Sequence, residues 1–190
     1  RNVRSGRLVY STDIESFARK SQVIFLAEDT TQELSNLVLQ IARVCSKPPI
    51  ITITTPVSVG TASAIEQALL QAGLKATIVS QPVFFTPGCA VEDFNWPDRI
   101  ILGTSSNDAV IAIKQVFHPL VMRGVPVIVT NHETAELVCE SATAFVATKI
   151  SFINELATLC ERVNADAVNL SLALGLDKKI APRCLQPGAG

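Results

Sequence analysis

The chain has 190 residues, enough for one large domain or one and a half, and 48% of them are hydrophobic, so a sizeable core is affordable. Lys+Arg 16 against Asp+Glu 17 leaves a formal net charge of −1, which argues against a nucleic-acid or anionic-membrane partner held by charge. Every apolar run is interrupted by Asp, Glu, Lys, Arg or Pro well short of the roughly 20 residues a membrane span needs, so a soluble, intracellular protein is expected.

From the N-terminus, Arg1-Asn2-Val3-Arg4-Ser5-Gly6 carries neither an initiator Met nor an apolar signal core, which suggests that the chain starts partway into a longer one. Short β-branched runs then recur at Leu8-Val9-Tyr10, Val23 to Ala27, Ile50 to Ile53, Ala76 to Val79, Ile100 to Leu102 and Val127 to Val129. The stretches between them have helical spacing, and the alternation predicts a mostly parallel sheet covered on both faces, an α/β fold. Thr12 with Glu15 and Thr30 with Glu33 have the spacing of a capping box, in which a hydroxyl and a carboxylate each take a free N–H. Gly60 is placed to open a helix over 61–72, and Gly73 to end it in a left-handed conformation. A helix is expected from Ser106 to Phe117, with His118 favourably placed at its C-terminal dipole.

Beyond Pro126 no proline occurs until Pro182, and apolar residues fall at Ala135, Val138, Ala142, Phe145, Val146, Ile150, Ile153, Leu156, Ala157 and Cys160. The spacing predicts a helix of about eight turns with a single apolar stripe, long enough to join two domains or to pack on a symmetry mate. A following helix, Ala165 to Leu174, has Asn164 as N-cap and Gly175 as its stop. Cys45, Cys89, Cys139, Cys160 and Cys184 are odd in number and without C-x-x-C or zinc-ligand spacing, so reduced thiols are expected and no metal site.

Three stretches together carry a family likeness: Gly88-Cys89-Ala90-Val91-Glu92-Asp93-Phe94 with Pro97-Asp98-Arg99-Ile100; Ala135-Glu136-Leu137 through Ala147-Thr148-Lys149-Ile150-Ser151-Phe152-Ile153-Asn154-Glu155; and Gly175-Leu176-Asp177 through Pro187-Gly188. In this order and spacing, with Phe25-Leu26-Ala27 and Ser58-Val59-Gly60-Thr61 in register, the chain resembles the UDP-glucose/GDP-mannose dehydrogenase family from about Arg7 to Gly190. The resemblance implies a cytoplasmic oxidoreductase that uses NAD twice to take the C6 hydroxyl of a nucleotide sugar to a carboxylate, a step in polysaccharide biosynthesis. It also implies a partial Rossmann-like NAD-binding domain over 1–130, with the first strand and its Gly-rich turn missing. Residues 131–190 would then be the connecting helix and the beginning of a central dimerisation domain, giving a homodimer through helix 132–162. In the family a cysteine holds the aldehyde as a thiohemiacetal, Lys and Asn stabilise the oxyanion, and Thr and Glu position water or move protons.

At those positions this sequence differs. The family's Asn-Pro-Glu-Phe reads Gln81-Pro82-Val83-Phe84, and its Lys-Ser-Thr reads Thr54-Thr55-Pro56. The helical Lys and Asn, four apart and on one face, are Cys139 and Thr143. Glu28-Asp29-Thr30-Thr31 replaces a Val-Gly-Thr-Pro stretch near the cofactor, and the sequence stops at Gly188-Ala189-Gly190, before the family's nucleophile segment. The reading is a catalytically impaired homologue, a pseudoenzyme. Its catalytic positions are occupied by Pro56, Val83, Cys139 and Thr143. Thr30 and Thr55 remain as cofactor contacts, and Phe84, Phe85 and Gly88 as nucleotide-sugar contacts. An active dehydrogenase using Thr55, Cys139 and Thr143 in altered roles, and a dimerising regulatory paralogue, are the alternatives. Thr30 reads equally as a helix cap, Cys139 more readily as a small buried hydrophobe than as a relocated nucleophile, and Glu92 with Asp93 as loop structure. Lys149 and Asn154 lie near the family's site on the long helix and serve as readily to cap or solvate an interface.

Overall fold

The fold is that of a computed structural model and is described for residues 2–27, 31–181, 185, 186 and 188. Two compact units divide it, Arg1–Cys139 and Glu140–Gly190.

In the first unit, a short helix α1 (Ile14–Ala18) is followed by β1 (Val23–Leu26), α2 (Thr31–Val44), β2 (Ile50–Ile53), α3 (Thr61–Gln71) and β3 (Thr77–Ser80). Then come α4 (Ala90–Asn95), β4 (Ile100–Gly103), α5 (Asn107–Val116), α6 (His118–Val121) and β5 (Val127–Thr130). The strands lie in chain order β1-β2-β3-β4-β5. β1, β2 and β3 pair in parallel, as do β4 and β5, while β3 meets β4 antiparallel through the single pair Ser80–Gly103. The mostly parallel sheet matches the sequence expectation. The central strands carry apolar side chains on both faces, Ile51, Ile53, Ile78, Val79, Ile101 and Leu102 all being buried, as strands covered by helices on both sides require.

Each helix buries one side at three- and four-residue spacing. Leu34, Val38, Ile41 and Ala42 of α2 and Ala62, Ile65 and Leu69 of α3 join β1, β2 and β3 in one core cluster. Ala109, Ile113, Phe117 and Leu120 join β4 and Val79 in another. Gly60 (φ 94) precedes α3, and Gly73 (φ 66) ends it as expected, with Leu74 N–H donating to Leu69 O at 2.9 Å and Gly73 N–H to Leu70 O at 3.1 Å. Ser106 caps α5 by accepting the Ala109 N–H.

Several local expectations are corrected. Leu8-Val9-Tyr10 forms no strand; Tyr10 is 79% exposed, because three apolar residues without a pairing neighbour gain too little from extension. The cap of α1 is Asp13, whose carboxylate accepts the Ser16 N–H at 3.0 Å, in place of Thr12. His118 directly follows Phe117, the C-cap of α5, in keeping with its expected place at that helix end, and it also opens α6. Glu33 lies in the first turn of α2, but its partner in the anticipated box, Thr30, lies outside the described residues together with Glu28, Asp29 and Cys184.

Helix α7 runs continuously from His132 to Val163, 32 residues, as the long helix expected over 132–162. Of its apolar stripe, Ala135, Ile153 and Cys160 are buried, but Phe145 is 65% exposed and Val146 also faces solvent. Helix α8 (Ala167–Leu176) starts later than expected. Asp166 takes the cap, accepting from Val168 and Asn169 N–H, while Asn164 adopts φ 57. Gly175 does not stop α8, which continues to Leu176, since only a left-handed backbone at that glycine would break the ladder.

Candidate functional site

Ligands of open parallel sheets gather where the strands end at their carboxyl edge, because helix N-termini and connecting loops converge there. In this chain that edge is built by the segments after β2 and β3. Thr54 Oγ1 donates to Leu26 O at 2.7 Å, Gln81 N–H to Ile53 O at 2.8 Å and Val83 N–H to Thr54 O at 3.2 Å. The sheet ladder is thus carried past the strands, bringing Thr54-Thr55-Pro56 beside Gln81-Pro82-Val83. Thr55, Pro56, Ser80, Gln81, Pro82 and Glu136 line a small cavity between them. Two of the anticipated positions, Thr55 and Pro56, therefore share one cavity wall with Pro82, the neighbour of Val83.

The floor of this region is a buried polar network that the sequence reading passed over. Glu136, 3% exposed, accepts the Gly60 N–H at 2.7 Å through Oε2 and the Ala62 N–H at 2.9 Å through Oε1. Ser80 Oγ lies 3.3 Å from the same Oε1 and 3.0 Å from His132 Nδ1. His132 Nε2 in turn faces Glu66 Oε1 at 3.3 Å. A carboxylate on free helix N–H groups is favoured by the positive end of the helix dipole and by charge-assisted hydrogen bonding. Serine, imidazole and carboxylate follow the order of a nucleophilic triad, but Ser80 is 2% exposed and its hydroxyl is engaged on both sides, so the row holds α3, β3 and α7 together. The signal available beforehand was Glu136 within the Ala135-Glu136-Leu137 motif; its partners are more than 50 residues away in sequence.

At the neighbouring turn of α7, Glu133 accepts a 2.6 Å hydrogen bond from Ser63 Oγ, which holds its carboxyl below the ordinary range. Packing here is close: a Cβ on Gly103, at the end of β4, would come within 2.6 Å of Ala135 Cβ and 2.8 Å of Asn131 O.

The other anticipated residues are distributed as follows. Cys139 is half-buried on α7, one turn after Glu136, and Thr143 is exposed another turn along. Phe84 packs under the Arg99 guanidinium, 4.2 Å from the ring centroid, and Phe85 is 47% exposed. Gly88 has φ 85, a left-handed conformation that a side chain would strain. The loop carrying it is tied down by Asp93, whose carboxylate accepts the Thr86 N–H at 2.6 Å. In the second unit Lys149 Nζ donates to Ile180 O, and Asn154 pairs with both backbone groups of Gly188. Elsewhere, burial pushes the Cys45 thiol up in pKa, with Arg19 opposing.

A dinucleotide pyrophosphate needs open backbone N–H groups at a helix N-terminus. The α3 terminus does not fit one, since Glu136 already takes the Gly60 and Ala62 N–H groups. Ser106 and Asp166 likewise cap α5 and α8. Thr30 lies outside the described residues. No helix among the described residues is long and apolar enough to cross a membrane.

Comparison with known proteins agrees with this architecture. Residues 1–121 match the UDP-glucose/GDP-mannose dehydrogenase family, NAD binding domain, and residues 133–190 match the central domain of the same family. UDP-glucose 6-dehydrogenase of Rhizobium meliloti (strain 1021) is 34% identical over 203 residues, covering 100% of this chain and 46% of the relative. UDP-glucose 6-dehydrogenase TuaD of Bacillus subtilis (strain 168) is also 34% identical, over 100% of this chain and 43% of its own length. The chain thus spans about half the length of the curated relatives it matches. A UDP-glucose dehydrogenase from the hyperthermophilic archaeon Pyrobaculum islandicum superposes with TM-score 0.87 at 27% identity, over 99% of this chain and 46% of that one. With both of its matched segments falling in one family and the sheet and long helix following the same architecture, the chain belongs to the UDP-glucose/GDP-mannose dehydrogenase family, whose NAD-binding and central domains it represents in part.

Proposed function

We propose that this protein is a nucleotide-sugar 6-dehydrogenase homologue that retains nucleotide-sugar binding but has lost most or all of the oxidation. The observation that carries the reading is the chemistry at the aligned positions. Pro56, Val83, Cys139 and Thr143 stand where the family places a threonine, a glutamate, a lysine and an asparagine. Valine neither takes nor gives a proton, and loss of a positioned general base costs roughly 100- to 10,000-fold in rate. A neutral thiol in place of an ammonium removes a fixed positive charge from the developing oxyanion, a loss of roughly 100- to 1,000-fold for one such donor. Proline at 56 has no hydroxyl, and Thr55 supplies one a residue earlier.

Binding is supported separately. Phe84, Phe85 and Gly88 keep the loop that, by resemblance, holds the nucleotide sugar through backbone and ring contacts, and Asp93 fixes its shape. NAD is the family's cofactor, and Thr30 and Thr55 are the residues of this chain proposed to face it. Residues 1–130 serve as the nucleotide-binding half and 131–190 as the start of a dimerisation domain in a cytoplasmic homodimer. The exposed Phe145 and Val146 on the apolar stripe of α7 favour pairing through helix 132–162.

The full-length protein, mixed with NAD and either UDP-glucose or GDP-mannose, tests the proposal. Thermal-shift titration should reveal stabilisation by a nucleotide sugar without NADH appearing by absorbance. NADH formation at a rate comparable to active relatives would overturn the impairment, and light scattering that returned a monomer at micromolar concentration would overturn the dimer.

A further inference from the structure

Gln81, a lining residue of the cavity between the ends of β2 and β3, carries an unexplained polar atom. Gln81 is 6% exposed, and its side-chain Oε1 is buried without a hydrogen-bond partner. A buried carbonyl left unpaired costs about 1–3 kcal/mol, so such a group in a cavity wall calls for a donor. Among the described residues two other buried side-chain oxygens lack partners, Thr52 Oγ1 and Ser171 Oγ, and neither residue lines this cavity. The space bounded by Gln81, Thr55, Pro56, Ser80, Pro82 and Glu136 has room for one water-sized group.

We propose that Gln81 is a ligand-binding residue whose side-chain carbonyl accepts a hydrogen bond from a single hydroxyl of the bound nucleotide sugar, seated in this cavity. The inference rests on the nucleotide-sugar reading above and names the group that would recognise the sugar. The wall chemistry selects the ligand atom. Glu136 is acceptor-only, and its carboxylate in the wall repels a phosphate, so the nucleotide's pyrophosphate stays outside. Two helix N–H groups already compensate that carboxylate, so no cation is required. A neutral donor the size of one oxygen remains, and a sugar hydroxyl is such a group. Gln81 is two residues before Val83, so the contact lies beside the position where relatives place their glutamate, and it provides binding without proton transfer.

The test is calorimetric titration of the full-length protein with UDP-glucose and, separately, UDP. Gln81→Met preserves side-chain length and removes the carbonyl. It should weaken UDP-glucose roughly 5- to 30-fold and leave UDP unchanged, and unchanged UDP binding also reports that the variant is folded. Gln81→Asn, with a carbonyl one methylene short, should fall between wild type and Gln81→Met. Among UDP-sugars each lacking one hydroxyl, one should bind wild type and Gln81→Met alike. Equal affinities for UDP-glucose in wild type and Gln81→Met would mean that the carbonyl holds only a structural water, and the inference falls. Parallel loss of UDP and UDP-glucose in both variants would also overturn it. If wild type binds neither ligand, the nucleotide-sugar reading itself fails, an outcome visible before any substitution is made.

Discussion

Glu136 Oε2 accepts the Gly60 N–H at 2.7 Å across 76 positions of sequence, so a buried carboxylate of α7 caps the N-terminus of α3. Gly60 offers no side chain of its own for that purpose. The same carboxylate takes the Ala62 N–H, which makes it the joint between two helices and the end of β3.

Removing that joint should be costly and graded. Glu136→Gln keeps one acceptor but turns an amide N–H toward a helix N–H, and is expected to cost about 1–3 kcal/mol. Glu136→Leu leaves the buried Ala62 N–H and the part-buried Gly60 N–H unpaired and should cost roughly 2–6 kcal/mol. Urea denaturation of each variant measures the difference, and equal stabilities would contradict the capping role.

The approach of Gly103 to α7 is tight enough to test by adding one carbon. Gly103→Ala would place Cβ 2.6 Å from Ala135 Cβ and 2.8 Å from the Asn131 carbonyl oxygen, and backbone cannot yield as a flexible side chain does. The expected loss is about 1–3 kcal/mol, partly recovered by Ala135→Gly in the same chain.

Glu133 provides a pH signature. Because its pKa is lowered in the folded protein, its contribution to stability is present above the ordinary glutamate range and is lost as pH falls through the lowered value. Ser63→Ala removes the largest cause, so the Glu133 carboxyl should titrate at higher pH, read from its side-chain carbon by NMR. An unmoved midpoint would contradict the assignment.

The thiols should separate by reactivity. Cys89 is exposed and Cys160 buried, while Cys45, half-buried, donates its S–H to Ala18 O and has a raised pKa. Thiolate is the reacting form, so at mildly alkaline pH iodoacetamide should modify Cys89 well before Cys45. Mass spectrometry of a time course gives the order. The raised Cys45 pKa contributes stability below the ordinary thiol pKa, and that contribution is lost as pH rises through the folded value.

Much of the fold was legible in the residues. The Ile50 to Ile53 run is β2 residue for residue, and Gly73 ends α3 as its position foretold, because β-branching and a left-handed glycine act within a few residues. Where local signals competed, the nearer reading failed: Asp166 displaced Asn164 as the cap of α8, and Gly175 was absorbed into that helix. The candidate site was only half legible. Thr55 and Pro56 were named from the motif, and the structure places both on the cavity wall, whereas Ser80, Gln81, His132 and Glu136 look like ordinary polar residues until their burial is known.

Taken alone, the amino-acid order determined the strand and helix alternation, the long apolar-striped helix and the family, since these depend on spacing and motif along the chain. Only the tertiary structure decided that Glu136 caps α3, that Gly103 must remain bare, and that Gln81 holds a carbonyl without a partner. Those facts depend on the sheet register and on how closely α7 docks at its edge, which bring together groups tens of residues apart and exclude the water that would otherwise satisfy them.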